Sequence, residues 1–368
     1  MNSLDTEQEL FAFLCLTSIK GIGPASIKKI ISITHLASQA WKNIDKVLKN
    51  LTSKTIELSQ SHKAKIQNLA EQKIQLIKKS NVKYILLTDD IYPELLKEIS
   101  TPPSILFYQG DINLLSYPKI ALVGSRKAST YGLKMAQEIA SNLSANGICV
   151  VSGLALGIDA AAHKAALLHK GKTIAVLGCG VNINYPYQNS KLQKDIANNG
   201  LILSEYLPNT TPEPQNFPSR NRIISGLCSG VVVVEAPKKS GALITAKYAL
   251  EYGREIFAVP GTTKMYSFEG CNRLIQEGAY LVQQTEDILE TLSLQINFPQ
   301  NKKENHTIEH LSENEKNIYH LLQNQDKLHI EEISQSLNLS IAEISGLLIQ
   351  MEIKGIIQRL AGMYFCLK

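Results

Sequence analysis

The stretch KIALVGSRKASTYG, Lys119 to Gly132, decides the fold. A short β-rich run enters a polar, glycine-bearing turn, and STYGLKMAQEIASNLSANG beyond it has the spacing of an amphipathic helix. The unit then repeats. ICVVS leads into SGLALGID (Ser152 to Asp159), TIAVL into GCGVNINYP (Gly178 to Pro186), and VVVVE into EAPKKSGALITA (Glu235 to Ala246). Alternating β and α segments with right-handed crossovers make a mainly parallel, Rossmann-like sheet of the α/β class, with all these turns along one edge. Ligands of such sheets bind outside the carboxyl ends of the strands. Several independent turns therefore converge on one polar, arginine-bearing cleft.

Working outward, KYILL, PELLKEI and PPSILFYQG precede the repeat, while EIFAV, the turn PGTTKMYSFEG and a helix around NRLIQEGA follow it. This Rossmann-like domain is placed at 81–295. Residues 1–80 read as a helical, SAM-like domain. Its break KGIGPAS, Lys20 to Ser26, has the helix-hairpin-helix pattern. Exposed amides at such a turn can hold a nucleic-acid phosphate; the alternative is a tight turn that needs glycine for positive φ. A polar linker is placed at 296–310, where NFPQNKKENHTIEH is poor in apolar residues. Residues 311–368 then give three helices (SENEKNIYHLLQ, KLHIEEISQSLN, SIAEISGLLIQMEIKG) and two strands, the winged-helix order. A helix that reads duplex DNA presents Arg, Lys, Asn or Gln. The third helix here offers Ser340, Glu343, Ser345, Gln350, Glu352 and Lys354. Its glutamates oppose a phosphate backbone, so a protein–protein or structural role is favoured over a sequence-specific regulator.

At 368 residues, two or three domains are expected. No apolar run approaches the ~18 residues of a membrane span. FAFLCL follows the acidic MNSLDTEQE, so it reads as a buried helix stripe rather than a signal peptide. The 6 cysteines are scattered without a CxxC pair, which fits a reduced, cytoplasmic protein without a metal site. The net charge of +5 says little alone, but basic residues cluster at the turns: Arg126 and Lys127, Arg220 and Arg222, Lys238, Lys239 and Lys247.

Gly124, Ser125 and Arg126 occupy a phosphate-loop position without the GxGxxG dinucleotide fingerprint. Ser125 and the loop amides are candidate donors to phosphate, and Arg126 a bidentate, charge-assisted one. The structural alternative pairs Arg126 with Glu205 or Glu235. Ser152 and Gly153 end a strand, with Asp159 near the next helix start. Asp159 and His163 stand one turn apart and can pair; an N-terminal carboxylate that fixes a histidine is preferred over a catalytic dyad. In FPSRNRIISGL, Arg220 and Arg222 are two apart and do not share a face, Asn221 lies between them, and Phe217 is either a base-stacking ring or a core anchor. Ser240, Gly241 and Thr245 open another helix, with Lys247 one turn in. The sequence has no Walker lysine motif, GxSxG elbow or HExxH. The cleft reads as a binder.

Read in order, GSRKASTYG, SGLALGIDAAAH, GKTIAVLGCGVNINYP, FPSRNRIISGL, VVVVEAPKKSGALITAKYALEYGREIFAVPG and GCNRLIQEGA closely resemble the DprA/Smf family, DNA-processing protein A. The resemblance covers nearly the whole α/β region, and the two flanking domains resemble its three-domain members. It implies a non-catalytic, cofactor-free protein of natural transformation. Such a protein binds and protects incoming single-stranded DNA, dimerises through the Rossmann-like domain and helps load the RecA recombinase. By motif, Gly124, Ser125 and Arg126 form the phosphate loop, Arg220, Asn221 and Arg222 a second basic group, and Ser240, Gly241, Thr245 and Lys247 a third. Two positions depart from the pattern: Phe268 stands where the family usually has serine, and GALIT has alanine where serine is frequent. The rival reading is a nucleotide phosphoribohydrolase of the lysine-decarboxylase-like group. Its PGGxGTxxE loop and catalytic glutamate are replaced here by EAPKKSGALITA.

Overall fold

The computed structural model describes residues 3–51, 58–168, 171–293, 311–323, 327–353, 356–360 and 362–367. Those up to 293 form one compact unit and those from 311 a second. The expected linker at 296–310 lies outside the described residues.

The first unit opens with helices α1 (Ser3–Thr17), α2 (Pro24–Thr34), α3 (Ala37–Lys42), α4 (Ile44–Leu51) and α5 (Gln60–Lys79). In the KGIGPAS turn, Gly21 takes φ +91, a conformation that side-chain-bearing residues avoid, and Pro24 starts α2 where its missing N–H costs nothing. Phe13, Leu16, Ile27, Ile30 and Leu48 are fully buried between these helices. Glu9, also buried, caps α3 by accepting from the amides of Ala37 (2.8 Å) and Ser38 (3.0 Å). Lys28 ties the helices to the sheet region by donating to the carbonyls of Glu98 (2.8 Å) and Ile99 (2.9 Å).

The sheet contains β1 (Lys83–Leu86), β2 (Ile105–Gly110), β3 (Lys119–Gly124), β4 (Cys149–Ser152), β5 (Thr173–Val176), β6 (Leu201–Ser204), β7 (Gly230–Glu235), β8 (Glu255–Ala258) and β9 (Tyr280–Leu281). Their spatial order is β1-β2-β6-β5-β4-β3-β7-β8-β9. From β6 to β9 every pairing is parallel; β1 and β2 add an antiparallel edge. The expected mainly parallel sheet is present. No sequence expectation covered β6, which inserts between β2 and β5. Both faces of the central strands are covered, which is why Val231 to Val234 form an uninterrupted apolar run with each residue fully buried. Burying each such side chain contributes roughly 1.5–3 kcal/mol.

The covering helices are α6 (Glu94–Glu98), α7 (Thr130–Ala145), α8 (Ile158–Leu168), α9 (Ser190–Asn199), α10 (Asn216–Leu227), α11 (Gly241–Glu251), α12 (Glu269–Gln276) and α13 (Thr285–Ser293). In α7, Ser129 caps the start by accepting from the Gly132 amide (3.1 Å). Met135, Ala136, Ile139, Ala140 and Leu143 form its buried stripe. The chain runs outward from β3 through β4 and β5 to β6, then returns to β7 on the other side of β3. The topological switch point therefore lies between the carboxyl ends of β3 and β7.

The second unit is a winged helix: α14 (Glu313–Gln323), β10 (Leu328–His329), α15 (Ile330–Leu337), α16 (Ile341–Ile353), β11 (Ile357–Arg359) and β12 (Tyr364–Leu367), with sheet order β10-β12-β11. Its core includes Ile318, Ile333, Ile344, Leu348, Met351 and Phe365. The second helix starts later than the sequence predicts, because Leu328 and His329 pair with β12 as a short strand. On α16, Glu343 accepts from the Ser340 amide (3.0 Å) and closes a capping box, so one of the two glutamates assigned to its exposed face is a helix cap. Ile341 and Ile349 stand exposed on the same helix, while Lys354 lies outside the described residues.

Candidate nucleic-acid interface

The cleft opens at the switch point, with a volume of about 800 Å³. Gly124 ends β3 where any side chain would strike Ile158, a Cβ coming within 2.6 Å of its Cγ1. The loop that follows is bound tightly to the protein. The Ser125 amide donates to the Glu235 carbonyl (2.7 Å), the Lys127 amide to Ser125 Oγ (3.1 Å), and the Ser129 amide to the Glu235 carboxylate (2.9 Å). This corrects the expectation that these amides serve phosphate: three of them are already taken by internal acceptors. What the loop offers instead is side chains. Arg126 is exposed and has no carboxylate partner among the described residues; Glu205 and Glu235, its two alternatives, are engaged elsewhere.

Arg220 forms the floor. It is only 4% exposed, and its Nη1 donates to the carbonyls of Gly153 (2.7 Å) and Val176, while Nε donates to Asn221 Oδ1 (3.2 Å). Nη2 has no protein acceptor among the described residues, and the residue lines the cleft. Burial lowers its pKa, and the neighbouring Asp159 carboxylate opposes that shift. Asp159 is itself buried, which raises its pKa against the pull of Arg220 and of the Ala155 and Gly153 amides. Phe217 is half-buried beside them. Its ring lies 5.7 Å from the Arg126 guanidinium and 6.0 Å from that of Arg220, and it packs on Tyr185 at 5.4 Å. Between Phe217, Tyr185, Leu156 and Cys179 a small pocket of about 80 Å³ opens off the cleft.

Arg222 is not brought to this site. The turn of α10 that points Arg220 at β4 and β5 sends Arg222 to the opposite face, where it is 7% exposed and ion-paired with Glu205. Asn221 lines the cleft and donates to the Gly241 carbonyl (3.1 Å). Ser240 caps α11 by accepting from the Ala242 amide (3.3 Å), and Gly241 stands in open space. Thr245 also lines the cleft but is 2% exposed. Lys247 does not line it: it lies on the solvent face of α11, 4.0 Å from Glu251. The cations that do line it beside the arginines are Lys127 and Lys239. Both stand in turns whose basic character is visible in the sequence, but the helical phase that excludes Lys247 is not.

Ser152 is fully buried and donates to the Leu122 carbonyl (2.6 Å), so its hydroxyl is structural. Gly153 is required because a Cβ there would approach within 2.5 Å of the Arg220 guanidinium. The proposed Asp159–His163 pairing is absent. Asp159 accepts from the amides of Gly153 (3.1 Å) and Ala155 (3.3 Å), and His163 bonds Thr173 Oγ1 (2.7 Å). Burial lowers the His163 pKa to about 3. Two aromatic residues of the cleft, Tyr185 and Tyr266, carry no local sequence signal beyond their place in turns after strands. Among the described residues there is no His, Cys, Asp and Glu group fit for a metal ion, and no helix long and apolar enough to cross a membrane.

A mainly parallel sheet with a switch-point crevice that is basic, aromatic-flanked and floored by a buried guanidinium defines an α/β protein with a cationic cleft. Comparison with known proteins narrows the class. The family model described as DNA recombination-mediator protein A matches residues 83–293, and that of the DprA winged helix domain matches 302–363. The chain is 50% identical over 203 residues to DNA processing protein DprA of Streptococcus pneumoniae, covering 55% of this chain and 72% of that protein. It is 38% identical over 292 residues to DprA of Bacillus subtilis, covering 76% and 95%. The X-ray structure of the S. pneumoniae protein aligns with a TM-score of 0.67 and 39% identity over 77% of this chain and 97% of that one. A Helicobacter pylori DNA processing protein A, studied for its single-stranded DNA binding mode, aligns at 0.53 with 33% identity over 58% and 98%. The chain belongs to the DprA/Smf family of DNA-processing proteins.

Proposed function

We propose that this chain is a non-catalytic protein that binds single-stranded DNA in the switch-point cleft. It protects incoming strands and loads RecA recombinase onto them during natural transformation, as a cytoplasmic homodimer joined through the Rossmann-like domain. The observation that carries the binding reading is the Phe217 ring flanked by Arg126 and Arg220. A ring close to two guanidiniums meets what an unpaired strand exposes: base faces for stacking and phosphates for charge. Such contacts are indifferent to sequence. Gly124, Ser125, Asn221, Ser240, Gly241 and Thr245 complete the walls, and Lys127 and Lys239 join the cationic set. Ser152 and Gly153 act from beneath, by shaping the seat of Arg220.

The non-catalytic reading rests on where the candidate acids and bases go. Asp159, Glu205 and Glu235 each hold backbone amides, a hydroxyl or Arg222, and His163 sits sealed against Thr173. For the homodimer, β9 leaves an edge with Tyr280 and Leu281 exposed. Titration of the purified chain with labelled oligothymidine tests the binding reading. With about three phosphates neutralised, log K should fall against log salt with a slope near −2, from roughly −0.7 per phosphate. Arg126→Ala should weaken binding alike on every sequence. Salt-independent binding, or release of bases from nucleoside monophosphates, sinks the reading.

A further inference from the structure

The cleft has two aromatic ends. One is the Tyr185–Phe217 pair, carried on the segments after β5 and β6. The other is Tyr266, on the turn after β8 that also brings Ser267 to the wall. Tyr266 is 68% exposed and belongs to no aromatic pair among the described residues, yet it stands over the same basic cleft as Lys239 and Gly241. Its position is braced. The turn is clasped at its base by Asn272, which accepts from the Gly261 amide (3.1 Å) and donates to the Gly261 carbonyl (2.9 Å). Phe268, the residue that departs from the family pattern, is fully buried; it packs over Gly261 and against Tyr131 at 5.6 Å. The buried ring anchors the turn, and two residues earlier the exposed ring is held at the cleft rim.

We infer that Tyr266 is a second stacking platform, which takes a nucleobase of the same strand whose other end rests on Phe217 and Tyr185. The inference rests on the single-stranded DNA reading above and adds a path to it. The strands whose turns carry Tyr185 and Tyr266, β5 and β8, have β4, β3 and β7 between them, four strand spacings or about 19 Å at ~4.8 Å each. The strand then crosses the carboxyl edge of the sheet at right angles to the β-strands. Its phosphates pass Arg126, Arg220 and Lys239 in the middle, and its bases are gripped at both ends.

The test compares oligothymidine of about ten nucleotides, within the usual span of single-strand sites, with an abasic deoxyribose-phosphate strand of equal length. Wild type, Tyr266→Ala and Tyr266→Phe are titrated with both. Tyr266→Ala should weaken oligothymidine binding about 5-fold or more, the usual size of one lost base–aromatic stack, and leave the abasic strand unaffected. Tyr266→Phe, which keeps the ring, should recover the loss. Equal loss on both strands, or no loss on either, overturns the stacking role while the cleft reading stands. Wild type that binds neither strand overturns both.

Discussion

Arg220 Nη1 donates to the carbonyl oxygen of Gly153 at 2.7 Å, joining α10 to the end of β4 across 67 positions of chain. The amide of the same glycine donates to Asp159. One glycine thus carries the cleft's buried cation on its carbonyl and the cleft's buried anion on its N–H, and its missing side chain is the space in which the guanidinium sits.

Gly153→Ala should therefore damage the site without touching DNA. The new methyl lies 2.5 Å from three atoms of the guanidinium, which would have to leave the Gly153 and Val176 carbonyls. Breaking buried charged hydrogen bonds costs about 1.5–3 kcal/mol each. The entropic benefit of Gly→Ala in the unfolded chain is about 0.4–1 kcal/mol and does not offset it. We expect a lowered Tm and oligothymidine affinity reduced by about tenfold or more, from 1.4 kcal/mol per tenfold. Unchanged affinity would detach Arg220 from binding.

Lys239 and Lys247 are separated by half of one helix and differ in what they face. Lys239 lines the cleft, whereas Lys247 lies beside Glu251 on the outside of α11. Lys239→Ala should weaken oligothymidine binding and flatten the salt slope by about 0.7, the share of one phosphate. Lys247→Ala should change neither, since an exposed i,i+4 pair is worth roughly 0.3–0.5 kcal/mol to stability and lies off the path. Isothermal titration at several salt concentrations separates the two; equal effects would place the strand on the outer face of α11.

How far the sequence reaches is visible in α10. Two arginines two residues apart cannot share a helix face, and of the two only Arg220 lines the cleft. Which one depends on Glu205, the residue that follows β6, and β6 was not recognised. Three apolar residues and a serine between a helix and a turn give no period to read. The turns themselves were legible because glycine and hydroxyl residues after β runs are local signals. The commitments of His163 and of the Ser125 and Ser129 amides were not, because their partners, Thr173 and Glu235, come from other strands. The winged helix was legible from helical spacing, except that β10 takes two residues from the predicted second helix through pairing with β12, a tertiary effect.

His163 supplies a pH dependence whose sign follows from its hydrogen bonds. Thr173 Oγ1 spends its proton on the Val150 carbonyl (2.8 Å), so it must accept from His163 Nδ1–H, and the imidazole is neutral. Protonation would put a hydrogen on Nε2, which is buried without a partner. Burial, assisted by the nearby Arg220 charge, therefore lowers the pKa from 6.5 to about 3. Between those values the unfolded chain binds the proton and the folded protein does not, so stability falls as pH drops from 6.5 towards about 3. The slope from this one group reaches at most about 1.4 kcal/mol per pH unit. His163→Asn keeps a donor near Thr173 and removes the titration. It should start less stable, because the ring leaves a gap, but its denaturation midpoint should fall more slowly between pH 6 and about 4 than that of wild type. Urea titrations across that range measure both slopes, and identical slopes would mean that His163 reaches solvent.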